Sequence, residues 1–282
     1  VDEELIDMKQ LMEQPMKRLM PKLLIAMFSM GIGLSANAAF DNSAWDSLLK
    51  KNVVELNGGQ ASQVNYAGMQ RDHASLKAYL NMTSQVSQAE FDHWSKNEQL
   101  AFLINVYNAW TVELILTRYP NLKSIKDIGS LFSSPWKKDF IPLLGATRSL
   151  DDIEQGLIRG SGRYHEPRIH FAVNCASIGC PALRREAYDA DHLNAQLEQA
   201  TQSFLQDRTR NYLKGNTLYV SSIFKWYSDD FEKGWRGINS VAQFFGLYAQ
   251  PLGLNKTQTE ALKQGQIHID YLPYDWHLNR TK

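Results

Sequence analysis

Ser95-Lys96-Asn97-Glu98 opens the run EQLAFLINVYNAWTVELIL, and Pro120 follows it after Arg118-Tyr119. A serine and a glutamate three residues apart have capping-box spacing. The hydroxyl accepts from a free amide of the first turn while the carboxylate reaches back to the serine amide. The pattern predicts a helix over 96–118 with Leu100, Leu103, Tyr107, Trp110 or Thr111, and Leu114 on one buried stripe. A neighbouring line runs through Ala101, Asn105, Asn108 and Val112. Two asparagines three apart in so apolar a helix lower its propensity, and if buried each needs hydrogen-bond partners. Either they form a structural network that ties loops to the helix, or one amide lines a site and orients a base or a substrate.

The rest of the chain supports a sizeable core around such a helix. With 282 residues, 44% of them apolar, and only 2 Cys, it is neither disordered, collagen-like nor stapled by many disulfides. Equal numbers of basic and acidic side chains, 30 each, provide no broad field to hold a polyanion, so nucleic acid is not an expected partner. At the N-terminus Lys17, Arg18 and Lys22 precede the apolar run Leu23–Leu34, which is followed by Ser35-Ala36-Asn37-Ala38-Ala39. These are the three regions of a secretory signal peptide, with cleavage expected after Ala38. The run is too short to span a bilayer, and no later run reads as long enough. A buried N-terminal helix is the alternative, and an uncleaved signal would hold the protein at a membrane surface. Translation starting at Met20 would account for the acidic, Met-containing residues before it. Residues 1–38 are thus read as extension and signal and residues 39–282 as one domain, periplasmic or secreted, with 26 basic and 25 acidic side chains.

Apolar spacing predicts a surface helix over Tyr66 to Leu80, with Leu76, Tyr79 and Leu80 inward. SSPWKKDF reads as an ordered loop whose Trp136 and Phe140 roof a cleft. Ser149-Leu150-Asp151-Asp152-Ile153-Glu154 reads as a helix start, capped by Ser149 or Asp151, with acids suited to the helix dipole. Gly160, Ser161 and Gly162 end it. Leu193, Leu197, Ala200 and Phe204 form a later helical stripe, Gly215-Asn216 a hairpin-like turn into the strand region TLYVSSIFKWY, and Asp229 and Asp230 the start of another helical piece. Capping is the first role of that aspartate pair, and Asp230 is also placed to orient a histidine. IHIDYLPYDWHLN begins as a short strand; His277 reads as a surface residue, while Tyr271, Tyr274 and Trp276 cover a cleft edge. Helices first, then strands interleaved with helices and no βαβ rhythm, imply an α+β domain.

PRIHFAVNCASIGCP, Pro167 to Pro181, concentrates the chemistry. Ile169, Phe171 and Val173 alternate with His170, Ala172 and Asn174, as in a strand. Cys175 would then fall on the opposite face from His170 unless the chain turns. Cys180 precedes Pro181, a favoured first helical residue, where a thiolate is stabilised. Three readings compete: a Cys175–Cys180 disulfide, natural in an exported protein; a thiol activated by histidine; and buried or metal-bound thiols. The spacing matches no usual zinc pattern, although His165 and His170 lie close in sequence. No Gly-rich phosphate loop, HExxH, EF-hand or GxSxG pattern is present, so no cofactor or metal is expected.

LAFLINVYNAWTVELIL, IHFAVNCASIGCPALR, SSIFKWYSDDF and IHIDYLPYDWHLN together resemble the family called DUF547, a domain of unknown function, over about Trp45 to Asn279. Its signature positions stand here as Asn105 and Asn108, Glu154, His170, Asn174, Cys175 and Cys180-Pro181. The resemblance implies, by analogy, a distant relation to papain-like or transglutaminase-like thiol enzymes.

Two functions follow as expectations. In the first, an exported hydrolase or acyltransferase attacks an amide or ester through Cys175, deprotonated by His170, or through Cys180. Glu154 or Asp230 orients the imidazole, and Asn105, Asn108 or Asn174 binds substrate or the developing oxyanion. In the second, a non-catalytic cell-envelope binding or scaffold module carries a Cys175–Cys180 disulfide. Its partner is an envelope peptide or protein, and it has no transmembrane domain.

Overall fold

The computed structural model describes residues 40–130 and 133–282, and these form a single α+β domain. The N-terminal half holds α1 (Ser43–Asn52), the hairpin β1 (Val53–Leu56) and β2 (Ala61–Val64), α2 (Tyr66–Arg71), α3 (His73–Gln85), α4 (Gln88–His93) and α5 (Lys96–Leu116). A second hairpin, β3 (Ile141–Leu143) and β4 (Ala146–Arg148), precedes a π-helical segment, Asp152–Gly160, and a 3-10 segment, Pro167–Phe171. Then come α6 (Leu193–Gln206), β5 (Tyr212–Lys214), β6 (Thr217–Ser221), α7 (Ile223–Trp226), α8 (Ser228–Phe231), α9 (Val241–Leu247), α10 (Lys256–Lys263) and β7 (His268–Leu272). The hairpin turn at Gly215-Asn216 pairs β5 with β6 antiparallel, and β7 adds in parallel with His268 opposite Thr217. The signal-peptide reading and its boundary at residue 38 lie outside the described residues.

Helix α5 begins as its sequence requires. The Ser95 hydroxyl accepts from the Glu98 amide at 3.2 Å, and the Glu98 carboxylate accepts from the Ser95 amide at 2.7 Å. The single buried stripe, however, is too narrow a description, because every residue from Gln99 to Leu116 is buried. Helices α2 and α3 and the π-helical segment all pack on it, and a helix apolar all round is stable only when covered all round. It also corrects the reading that no later run is long enough for a bilayer. Lys96–Leu116 has the length and hydropathy, and its apolar window is buried within the protein.

Asn105 and Asn108 are reconciled with this burial by pairing with backbone. The Asn105 amide donates to the Tyr188 carbonyl at 2.7 Å and accepts from the Tyr188 N–H at 3.0 Å. Asn108 donates to the Ala172 carbonyl at 3.0 Å and accepts from the Asn174 N–H at 2.8 Å. Each side chain offers one donor and one acceptor in the manner of a neighbouring strand, and so fixes a loop that has no strand partner.

That substitution explains why Ile169–Asn174 is not the strand its alternation predicts. Pro167 opens the 3-10 segment with a fixed φ and no N–H to give to a ladder, and the Glu166 carboxylate caps the Arg168 amide at 3.1 Å. Residues 167–174 are buried on all sides, so alternation carries no facial information here. The segment lies between two apolar clusters. Ile169, Ala172 and Val173 belong to the one built around α5, and Phe171 to a second built from Phe204, Phe224, Phe231, Phe244 and Phe245.

Candidate functional site: an aromatic cleft beside a disulfide loop

Asn174 closes the loop that follows the 3-10 segment. Its side-chain oxygen accepts from the Ala176 N–H at 2.9 Å, and its amide nitrogen donates to the Pro181 carbonyl at 2.8 Å. Ala176 takes the left-handed conformation, φ 62°, and the resulting turn brings Cys175 and Cys180 into a disulfide with their Cα atoms 6.2 Å apart. The C-terminal tail is hydrogen-bonded to this loop: the Ile178 N–H donates to the His277 carbonyl and the Gly179 N–H to the Asp275 carbonyl, both at 2.8 Å. The Tyr274 ring consequently lies so close to Gly179 that a Cβ there would meet it at 2.9 Å. The Tyr274 hydroxyl donates to Cys180 Sγ at 3.2 Å and lies 3.2 Å from Cys175 Sγ.

The loop forms one wall of a cleft of about 250 Å³. Tyr107 of α5, Glu154 and Gln155 of the π-helical segment, His170, and Trp226 and Tyr227 at the end of α7 form the other sides, and Trp136, Tyr274 and Trp276 complete the lining. The rings support one another: Trp276 packs on Tyr274 at 4.6 Å, on Trp136 at 5.6 Å and on Trp226 at 5.8 Å between centroids. Tyr227 stacks on His170 at 3.9 Å and its hydroxyl donates to Glu154 at 2.8 Å.

Asp230 accepts from His170 Nε2 at 2.8 Å and from Arg159, which also bonds Gln155. Burial favours a neutral Asp230 carboxyl, but the hydrogen bonds from His170 and Arg159 outweigh it and hold the group well below the ordinary carboxylate range. For His170, burial lowers the pKa and prevails over the opposing influence of Asp230. The contact is therefore a neutral imidazole donating Nε2–H to a carboxylate, not an ion pair. This tautomer leaves Nδ1 as an acceptor, and Nδ1 is buried without a partner. Burial, and then the charge of Glu154, raise the Tyr107 and Tyr227 phenols, which remain protonated donors.

The thiol mechanism is corrected by this geometry. Each sulfur is bonded to the other, so neither Cys175 nor Cys180 holds a thiol for His170 to deprotonate, and no thiolate stands before Pro181. Among the described residues no group of three or more His, Cys, Asp or Glu is arranged to hold a metal ion. Of the other side chains singled out, Glu154 and His170 line the cleft together with both half-cystines, and Asp230 reaches it through His170. Asn105, Asn108 and Asn174 do not line it, and their amides are taken by backbone partners. Trp136, Tyr274 and Trp276 line it, whereas Phe140 packs against Trp110 at 5.6 Å. No sequence pattern assigns a site role to Tyr227, Trp226 or Arg159, although SSIFKWYSDDF contains the first two. The aromatic pair in FKWY, beyond the end of a strand, was the available signal.

A family model described as "Protein of unknown function, DUF547" matches residues 91–205. The resemblance expected from Trp45 to Asn279 is thereby cut back to this central segment. It contains Asn105, Asn108, Glu154, His170, Asn174 and both cysteines, and it leaves out Trp226, Tyr227, Asp230, Tyr274 and Trp276. No curated protein and no solved structure matches the chain.

Proposed function

We propose that the protein is a non-catalytic binding module of the cell envelope that holds a peptide or protein segment in the aromatic cleft. The observation that carries this reading is the composition of the cleft wall, where a closed disulfide and a ring cluster stand in place of a nucleophile. Clefts with largely aromatic walls and a few convergent polar groups are the usual form of ligand sites. Tyrosine and tryptophan provide large contact areas with few rotatable bonds to immobilise. The disulfide and Asn174 hold one wall rigid, which lowers the entropic cost of binding. The distant papain-like or transglutaminase-like relation adds nothing to this reading, because a fold carried over by analogy leaves function to the site. Export through the signal at residues 1–38 supplies the envelope setting and the oxidising compartment in which such a disulfide persists.

The test titrates the oxidised protein with peptides prepared from cell-envelope proteins, following tryptophan fluorescence, since Trp136, Trp226 and Trp276 all line the cleft. Expected are a saturable spectral shift, weakened by Trp226→Ala, and Cys175–Cys180 recovered intact by mass mapping. Fractionation would locate the chain outside the cytoplasm with Ala39 at its N-terminus. Saturable binding unaffected by Trp226→Ala, or no binding at all, would refute the reading.

A further inference from the structure

We infer that the cleft seats a primary ammonium group, the head of a lysine-like side chain or of a small alkylamine, against the Glu154 carboxylate. The inference rests on the binding reading above and names the chemistry of its ligand.

Glu154 is 7% exposed, accepts a hydrogen bond from the Tyr227 hydroxyl at 2.8 Å and is faced by the Tyr107 phenol as well, yet among the described residues no cation lies within 4.0 Å of it. A carboxylate has about four acceptor sites, and burying it without a counter-charge is costly. The cation whose charge reaches it, Arg159, is bonded to Asp230 and Gln155. Asp151 adds a second acid to the lining, and no lysine or arginine is part of it. His170, whose Nδ1 is buried without a partner, lines the same cleft.

Aromatic faces surround these acceptors and favour a positive charge through the ring quadrupole. One of them already holds an ammonium from the chain itself, since Lys126 Nζ lies 3.7 Å from the centre of a Trp276 ring. Trp226 is 47% exposed at the same cluster and is open to a ligand chain. Carboxylate and π faces together call for a cation that carries N–H donors. A primary ammonium has three, whereas a quaternary one would add no hydrogen bond to Glu154 beyond those its phenol neighbours already make.

The experiment uses the full chain with its disulfide intact, at pH 7, in calorimetric titrations with three blocked alanine pentapeptides whose central residue is lysine, norleucine or Nε-acetyl-lysine, and with butylammonium. The lysine peptide should bind about tenfold or more tightly than the other two peptides. Glu154→Gln should abolish that advantage while melting at or above the wild-type temperature, which shows that the variant folds. Butylammonium as tight as the peptide identifies a free amine as the natural source. A tighter peptide identifies a chain-borne lysine. Equal affinity for the three peptides, or an advantage unchanged in Glu154→Gln, overturns the ammonium inference and leaves cleft binding standing. If none of these probes binds while the envelope peptides still do, the ammonium inference alone fails; if neither set binds, both readings fail.

Discussion

Replacing Asn108 with leucine tests how the core helix holds the disulfide loop. Leucine is nearly the same size, but it leaves the Ala172 carbonyl and the Asn174 N–H, both in buried backbone, without the partners they have at 3.0 and 2.8 Å. An unsatisfied buried polar group costs about 1–3 kcal/mol, so the gross penalty is roughly 2–6 kcal/mol. The added apolar burial offsets about 1–2 kcal/mol of it. The net loss spans roughly 0–5 kcal/mol, and its middle value of about 2–3 kcal/mol corresponds to a melting temperature lowered by roughly 4–12 °C for a domain of this size. Calorimetric melting of the oxidised protein measures it. Asn108→Asp sharpens the test, because aspartate keeps the acceptor for Asn174 and loses the donor to Ala172 unless it is protonated. A buried carboxyl there has its folded pKa raised above the unfolded value of about 3.9. Its proton is then bound more tightly in the folded state, so stability relative to wild type is greatest at low pH and is lost as pH rises through the folded pKa. If Asn108→Leu melts at or above the wild-type temperature, or if Asn108→Asp shows no such pH trend, the bridging account of Asn108 is wrong.

The double variant Cys175→Ser, Cys180→Ser should lose about 2 kcal/mol, the chain-entropy value for so short a loop, read as a lower denaturant midpoint with an unchanged slope; a gain in stability would contradict it. Gly179→Ala forces a methyl group onto the Tyr274 ring at 2.9 Å and should cost about 1–3 kcal/mol while loosening the cleft lining, seen as faster acrylamide quenching of tryptophan; unchanged melting and quenching would show that the tail shifts freely. His170 has a folded pKa below its unfolded value of about 6.5. The unfolded chain therefore takes up the proton first, and stability should fall as pH drops below about 6.5. A His170→Gln variant should show a shallower fall in urea midpoints over that range, and equal slopes would exclude His170 as the source.

Local order was legible where the determining contacts are local. The capping box at Ser95 and Glu98 closes within four residues. The Gly215-Asn216 turn pairs strands that adjoin it, and the stripe through Leu193, Leu197 and Phe204 does bury itself in α6. Ser149 caps as its position suggests, but its partner at 2.8 to 3.0 Å is Asp152, and Asp151, the other cap the sequence offers, makes no capping hydrogen bond. Alternation failed at Ile169–Asn174 because it signals a strand only when one face is wet, and this segment is covered on both sides by side chains from elsewhere in the chain. The site was legible in its residue types more than in their roles. His170 and Asp230 stood out separately, but the chain between them, a separation of 60, carries no periodic signal of their 2.8 Å contact.

The sequence by itself determined a neutral, mainly apolar chain with a capped core helix, two asparagines in need of partners, and two cysteines near enough to pair. These follow from composition, from the 3.6-residue period and from spacings of a few residues, each enforced by short-range geometry. Only the tertiary structure decided that the asparagines are used up on backbone at Tyr188, Ala172 and Asn174, that the sulfurs join each other, and that Glu154 is buried with no cation within 4.0 Å among the described residues. Tyr227 and Trp276 are brought to Glu154 and the disulfide loop from 73 and about a hundred residues away. Such contacts are selected by the joint packing of two apolar clusters, and no local pattern encodes which distant segment will fill the space beside a given side chain.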